Sequence, residues 1–131
     1  MSENGVGMRK ITLEEARAKG APASPPIHGY VFVAPLDADG FINPEAWRKE
    51  RARCFVHRLE RGQIVERGLL MHRPGGAGGA AWAFDYEAGS SDDDEVGYRF
   101  AAHAFRPGEY VSLRDGEGEL RTYRVSAVAA A

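Results

Sequence analysis

Cysteine is nearly absent from this chain: Cys54 stands alone among 131 residues. A single thiol excludes an intramolecular disulfide and any zinc knuckle built from paired cysteines. Set between Arg53 and Phe55 in an expected strand, it reads as a packed thiol, because free cysteine is mostly interior. Long apolar runs are missing as well. No stretch reaches the roughly 20 residues that cross a bilayer as a helix. The first residues lack the apolar core of a secretory signal, so the expectation is a cytoplasmic protein without membrane contact. Neither sign of charge is in excess. A net charge of −2 gives no global pull toward nucleic acid or an anionic surface. Lysine is scarce, 3 against 14 arginines, a bias that genome composition explains as well as any demand for bidentate anion contacts.

What is present is an ordinary globular balance: 44% hydrophobic and 27% charged residues, which argues against wholesale disorder. A chain of this length buries about two-thirds of its unfolded surface around one core and is too short for two.

The frame of the chain is Tyr98 to Val128, where short runs rich in β-branched and aromatic residues are separated by compact turn clusters. Arg106-Pro107-Gly108 is one turn and Asp115-Gly116-Glu117-Gly118 another, the second placed to close a hairpin between Leu113 and Leu120. Val111 and Leu113 alternate with Tyr110, Ser112 and Arg114; Tyr123 and Val125 alternate with Thr122, Arg124 and Ser126. One apolar row and one wet row per strand favour an antiparallel sheet. Trp82, Phe84 and Tyr86 give the clearest period-two signal, and their row is expected at the centre of the core or on the floor of a pocket.

Residues 1–28 read as a tail. Thr12-Leu13-Glu14-Glu15 has capping-box form and Gly20 would end a short helix, followed by the linker-like Ala21 to Pro26. Tyr30 to Ala34 is a strand apolar on both faces. Asp37 to Asn43 resembles the middle of a calcium loop, but Pro35 and Ala46 stand where its first acid and closing glutamate belong. The same letters spell a turn at Asp39-Gly40, then Asn43 as helix cap and Pro44 as first helical residue. The helix, Pro44 to about Arg53, has a narrow apolar stripe anchored by Trp47 and is expected over an open end or edge of the sheet. A hairpin follows around Arg61-Gly62-Gln63, with Phe55, His57 and Leu59 on one face, Val65, Leu69 and Met71 on one face of the returning strand, and a bulge expected at Gly68. The acidic run Asp92 to Glu95 reads as a repelling surface loop. The expected architecture is all-β with one short helix: a small antiparallel barrel or strongly curved sheet of six to seven strands over 29–128, with 129–131 as a C-terminal tail.

Chemistry is thinly written. His57, His72 and His103 fall in or beside expected strands, yet no His-x-His or His-x-x-x-His spacing supports a metal, and no cofactor is expected. The glycine-rich Arg73 to Gly79 leads into a strand, whereas a phosphate cradle presents its amides at a helix start. No Gly-x-Ser-x-Gly elbow positions a nucleophile. Phe105-Arg106-Pro107-Gly108-Glu109-Tyr110-Val111-Ser112-Leu113 resembles a strand of the flavin-binding barrel in ferredoxin-reductase-type enzymes over these nine residues, and equally strands of SH3-like and translation-type small barrels. In the reductases a later Arg-x-Tyr-Ser meets the flavin; here Arg121-Thr122-Tyr123 is followed by Arg124.

Three functional readings follow. The first is a non-enzymatic binding or interaction module for a small molecule or protein partner, contacted near the glycine-rich loop and aromatic strand at Arg73, Trp82, Tyr98 and His103. The second is a single-stranded nucleic-acid-binding OB-like or SH3-like barrel, from Arg58, Arg67, Arg99, Arg114, Arg121 and Arg124 interleaved with aromatics. The third is a small metal- or flavin-dependent enzyme.

Overall fold

The computed structural model describes residues 6–16, 28–76, 79–86, 95–98, 100, 103–114 and 119–131, with the backbone alone at 73–76, 79–81 and 95–98. Its strands are β1 (Gly7–Glu15), β2 (His28–Leu36), β3 (Phe55–Glu60), β4 (Gln63–Gly76), β5 (Gly79–Tyr86), β6 (Glu95–Tyr98), β7 (Tyr110–Arg114) and β8 (Leu120–Ala130). Each pairs antiparallel with the next, and β8 returns to β1, closing an eight-stranded up-and-down barrel. β4 outruns β3, and beyond Leu70 it has β5 as its strand neighbour on one side only among the described residues. The one α-helix among the described residues, α1 (Pro44–Glu50), runs into a single 3₁₀ turn at Arg51–Arg53 between β2 and β3.

The all-β barrel with one short helix is the expected architecture, and its eighth strand comes from the segment read as a tail. Residues 7–15 are strand, not the short helix suggested by Thr12 to Glu15. Ile11 and Leu13 lie two apart and are both fully buried, a spacing that suits a strand face. A helix this short does not hold by itself, whereas β1 pairs with β2 on one side and β8 on the other. The C-terminal residues are likewise in the ladder, since Ala129 and Ala130 pair with Lys10 and Arg9.

An interior ringed by eight strands is just wide enough for side chains to fill or for one small ligand. Here side chains fill it. Tyr30, Phe32, Phe84, Phe100, Phe105 and Tyr123 make a continuous aromatic stack with ring centroids 5.0–6.3 Å apart. The expected wet and apolar rows of β7 and β8 hold: Val111, Leu113, Tyr123 and Val125 are at most 2% exposed. Phe100 and Phe105 belong to the β6–β7 connection rather than to a strand, and they enter the same core from it. The Phe105 amide donates to the Gly40 carbonyl at 2.7 Å, tying this connection to the turn after β2.

That turn is the one expected. The Asp37 carboxylate accepts from the amides of Asp39 and Phe41 at 2.9 and 3.0 Å, and Gly40 sits at φ 92°. Asn43 then caps α1 by accepting from the Ala46 amide at 2.9 Å, with Pro44 in the first turn. Two turn expectations need correction. Arg73 to Gly79 is largely ladder, not loop, because Arg73 pairs with Ala81 and Gly76 with Gly79. The bulge lies at Val65, where the register slips between Arg58 and Leu59, while Gly68 pairs in step with Val56 and Tyr86. The Asp115–Gly118 turn and the acidic Asp92 to Asp94 lie outside the described residues.

Candidate functional site

Antiparallel pairing sends the ends of β2, β4, β6 and β8 to one end of the barrel, together with α1. Of the residues expected to contact a ligand, Trp82 sits on β5 near this end, paired with His72, and His103 lies in the β6–β7 connection. The backbones of Arg73 and Tyr98 also come to this end; their side chains lie outside the described residues. Trp82 is 1% exposed and forms part of the core. His103 is half-buried, its amide donating to the Phe100 carbonyl at 3.3 Å.

The residue that sequence reasoning passed over here is His72. It shares the inward face of β4 with Leu70 and stacks on Trp82 with centroids 4.2 Å apart and planes at 23°. Trp47 stands edge-on to both rings, 5.9 Å from His72 and 5.5 Å from Trp82. The histidine therefore lies over Trp82 as a half-buried lid. Desolvation, followed by the nearby Arg48 guanidinium, pushes its pKa below the ordinary value of 6.5. The folded state thus resists the proton that the unfolded chain accepts. As pH falls through 6.5 the unfolded state binds more protons and stability drops; above it both states are neutral and the dependence disappears. Urea midpoints taken between about pH 7.5 and 5 should fall, and His72→Phe should flatten that portion of the curve. An unchanged slope in the variant would assign the effect to another group.

Cys54 is fully buried behind the same helix, with its sulfur 3.5 Å from the Glu50 carbonyl. Burial, then the Glu50 carboxylate, raises the thiol to about 11, against a smaller lowering by Arg53. At pH 8 an aromatic disulfide reagent should react with the native protein roughly a hundredfold slower than with the urea-unfolded chain, because the thiolate is the nucleophile. Equal rates would contradict a packed thiol.

The opposite end carries charge. Val56, Arg58 and Glu60 alternate on the inward parity of β3; Arg58 bonds Glu60 at 3.0 Å and Glu66 at 3.3 Å with its side chain 24% exposed. Arg121 bonds Glu15 at 3.4 Å and Glu119 at 3.5 Å. Two cations of the arginine set expected to track a nucleic acid are thus held by carboxylates at the barrel mouth.

Because that parity faces inward, the more apolar set of the β3–β4 hairpin faces out. Phe55, His57 and Leu59 are half-buried on the outer face, so His57 is not a core imidazole; its ring lies 4.8 Å from Phe55. On β4, Ile64, Val65 and Leu69 are exposed by 42%, 43% and 40%. Register places Phe55 opposite Leu69, His57 opposite Arg67, and Leu59 opposite Ile64. The result is a stripe with apolar groups at both ends and a cationic centre. His57 on the outer face and His72 on the inner face do not converge. Among the described residues no group of three or more His, Cys, Asp or Glu side chains is placed to hold a metal ion, and no helix is long and apolar enough to cross a membrane. Compared with protein-family models, curated proteins and solved structures, the chain has no significant match.

Proposed function

We propose that this chain is a non-enzymatic interaction module that holds a protein partner on the outer face of the β3–β4 hairpin. The observation that carries the reading is the exposed apolar set Ile64, Val65 and Leu69, with Leu69 opposite Phe55 at one end of the stripe and Ile64 opposite Leu59 at the other. Apolar surface gathered at two ends of one stripe has a cost in water that a partner would relieve. The filled interior supports the same reading, since aromatic side chains occupy the volume where a small ligand would sit in an eight-stranded barrel. A cytoplasmic setting is part of the proposal, one that suits the lone reduced thiol of Cys54.

A photo-crosslinking residue placed at Val65, with a second at Thr122 on the far wall as control, tests it in extracts of the source cells. The expected result is one product, identified by mass spectrometry, from position 65 only and lost on Leu69→Ser. Equal labelling from both positions, or none from 65, would overturn the reading.

A small-molecule reading at the helix-capped end keeps one specific support, the gathering there of the Arg73 and Tyr98 backbones with Trp82 and His103. It requires His72 to swing off Trp82 on binding. Fragment screening by chemical-shift perturbation decides it: shifts confined to Trp82, His72 and His103 would favour this end over the hairpin face. Nucleic-acid binding has less support, because Arg58 and Arg121 are engaged by glutamates and most described aromatic rings point inward.

A further inference from the structure

We infer that the partner segment on the β3–β4 face is a short amphipathic helix bearing an acidic side chain at its centre. The inference rests on the reading of that face as the working surface. Two observations select this occupant.

The first is size. Phe55 and Leu59 are four residues apart on β3, about 13 Å at the rise of a strand, and the stripe is two strands wide. That footprint matches one helix, about 10 Å across, over about nine residues at 1.5 Å each, so anchors at i and i+7 would reach the two apolar ends. A stable contact between globular copies needs about 800 Å² per partner, more than this stripe offers.

Charge is the second. Arg67 is exposed at the centre, and among the described residues it makes no hydrogen bond or ion pair, while its neighbour Glu66 is turned inward onto Arg58. With His57 opposite, the centre offers donors to a carboxylate at i+3 or i+4 of the incoming helix. A second copy placed across a two-fold axis on this stripe would bring Arg67 against Arg67.

The test uses the full chain and two synthetic Ala-rich helical peptides of about 15 residues. One carries Leu at i and i+7 with Glu at i+3 and i+4; its twin carries Lys at those two positions. Fluorescence anisotropy should show the Glu peptide binding at least tenfold tighter than the Lys twin. Arg67→Glu, with its far-ultraviolet dichroism intact, should reverse that order, and Leu69→Ser should weaken both peptides. Equal binding of the two peptides, or an order indifferent to Arg67→Glu, overturns the acidic centre. Failure of both peptides at millimolar concentration while the Val65 cross-link persists overturns the helix and leaves the face standing. Absence of the cross-link removes the face itself. Sedimentation showing a dimer that Leu69→Ser converts to monomer makes a second copy the occupant and rejects the inference.

Discussion

Gly68→Ala should unfold or severely destabilise the protein, although it adds one methyl group to a residue with ordinary backbone angles. An added Cβ would stand 2.1 Å from the Asp85 carbonyl oxygen and 2.7 Å from the Tyr86 Cα. Both atoms are backbone of the neighbouring strand, so no side chain can rotate away, and β4 and β5 must separate where the barrel is closed. Overpacking of this kind costs on the order of 3 kcal/mol or more, a large share of the 5–15 kcal/mol that small domains have in total. Gly62→Ala serves as the contrast. Gly62 follows Arg61 in the β3–β4 turn with φ of 80° and 51°, the signature of a type I′ hairpin, and nothing lies within 4 Å of a Cβ built there. Its cost is conformational, about 1 kcal/mol. Urea denaturation of the two variants measures the difference directly. Equal midpoints would mean that β4 and β5 can shift past one another, and the tight approach at Gly68 would lose its meaning.

The same hairpin shows how much could be read from letters alone. Where one face is plainly apolar and the other plainly wet, as in Tyr110 to Arg114 and Leu120 to Ser126, parity assigned the buried row correctly. The Trp82, Phe84 and Tyr86 row is likewise interior, and Asn43, Pro44 and Trp47 define the helix as its capping chemistry implies. In β3 and β4 the rule inverted. Phe55, His57 and Leu59 carry more apolar surface than Val56, Arg58 and Glu60, yet the second set faces in, because Arg58 reaches the barrel mouth and meets Glu60 and Glu66 there. That ion-pair arrangement joins two strands and the end of a barrel, none of which is visible in a linear pattern. The inversion is also what leaves apolar side chains outside, so the departure from pattern in this strand and the proposed working surface have one cause. The eighth strand was hidden for a related reason. Ile11 and Leu13 are only two apolar positions among charged neighbours, and a capping pattern and a strand edge use the same Thr and Glu letters. His72 was legible as a strand residue but not as a lid, since its stacking partner is set by the β4–β5 register.

Trp47→Ala is expected to cost about 3–5 kcal/mol, as removal of a buried tryptophan ordinarily does, and its consequences should reach beyond the helix that carries it. Leu70 shows why. Its amide donates to the Cys54 carbonyl at 2.7 Å, so its own carbonyl points to the same side, toward the start of β3. There the Cys54 amide has already turned away to Arg51, and no ladder donor remains; the Trp47 indole N–H fills the position at 2.9 Å. Trp47 therefore completes the sheet at the point where α1 and the 3₁₀ turn replace a strand neighbour. Trp47→Phe keeps most of the ring and removes that donor, at a cost nearer the 1–3 kcal/mol of a buried acceptor left unpaired. The alanine variant should also uncover His72, whose pKa is held down chiefly by desolvation. Its ring protons, followed by NMR from about pH 8 to 5, should titrate closer to the ordinary value than in the parent protein, while the phenylalanine variant should stay near the parent. A His72 titration unmoved by Trp47→Ala would mean that Trp82 and Arg48, rather than the helix anchor, set its environment. Loss of stability with that titration unchanged would separate the two roles that the geometry joins in one side chain.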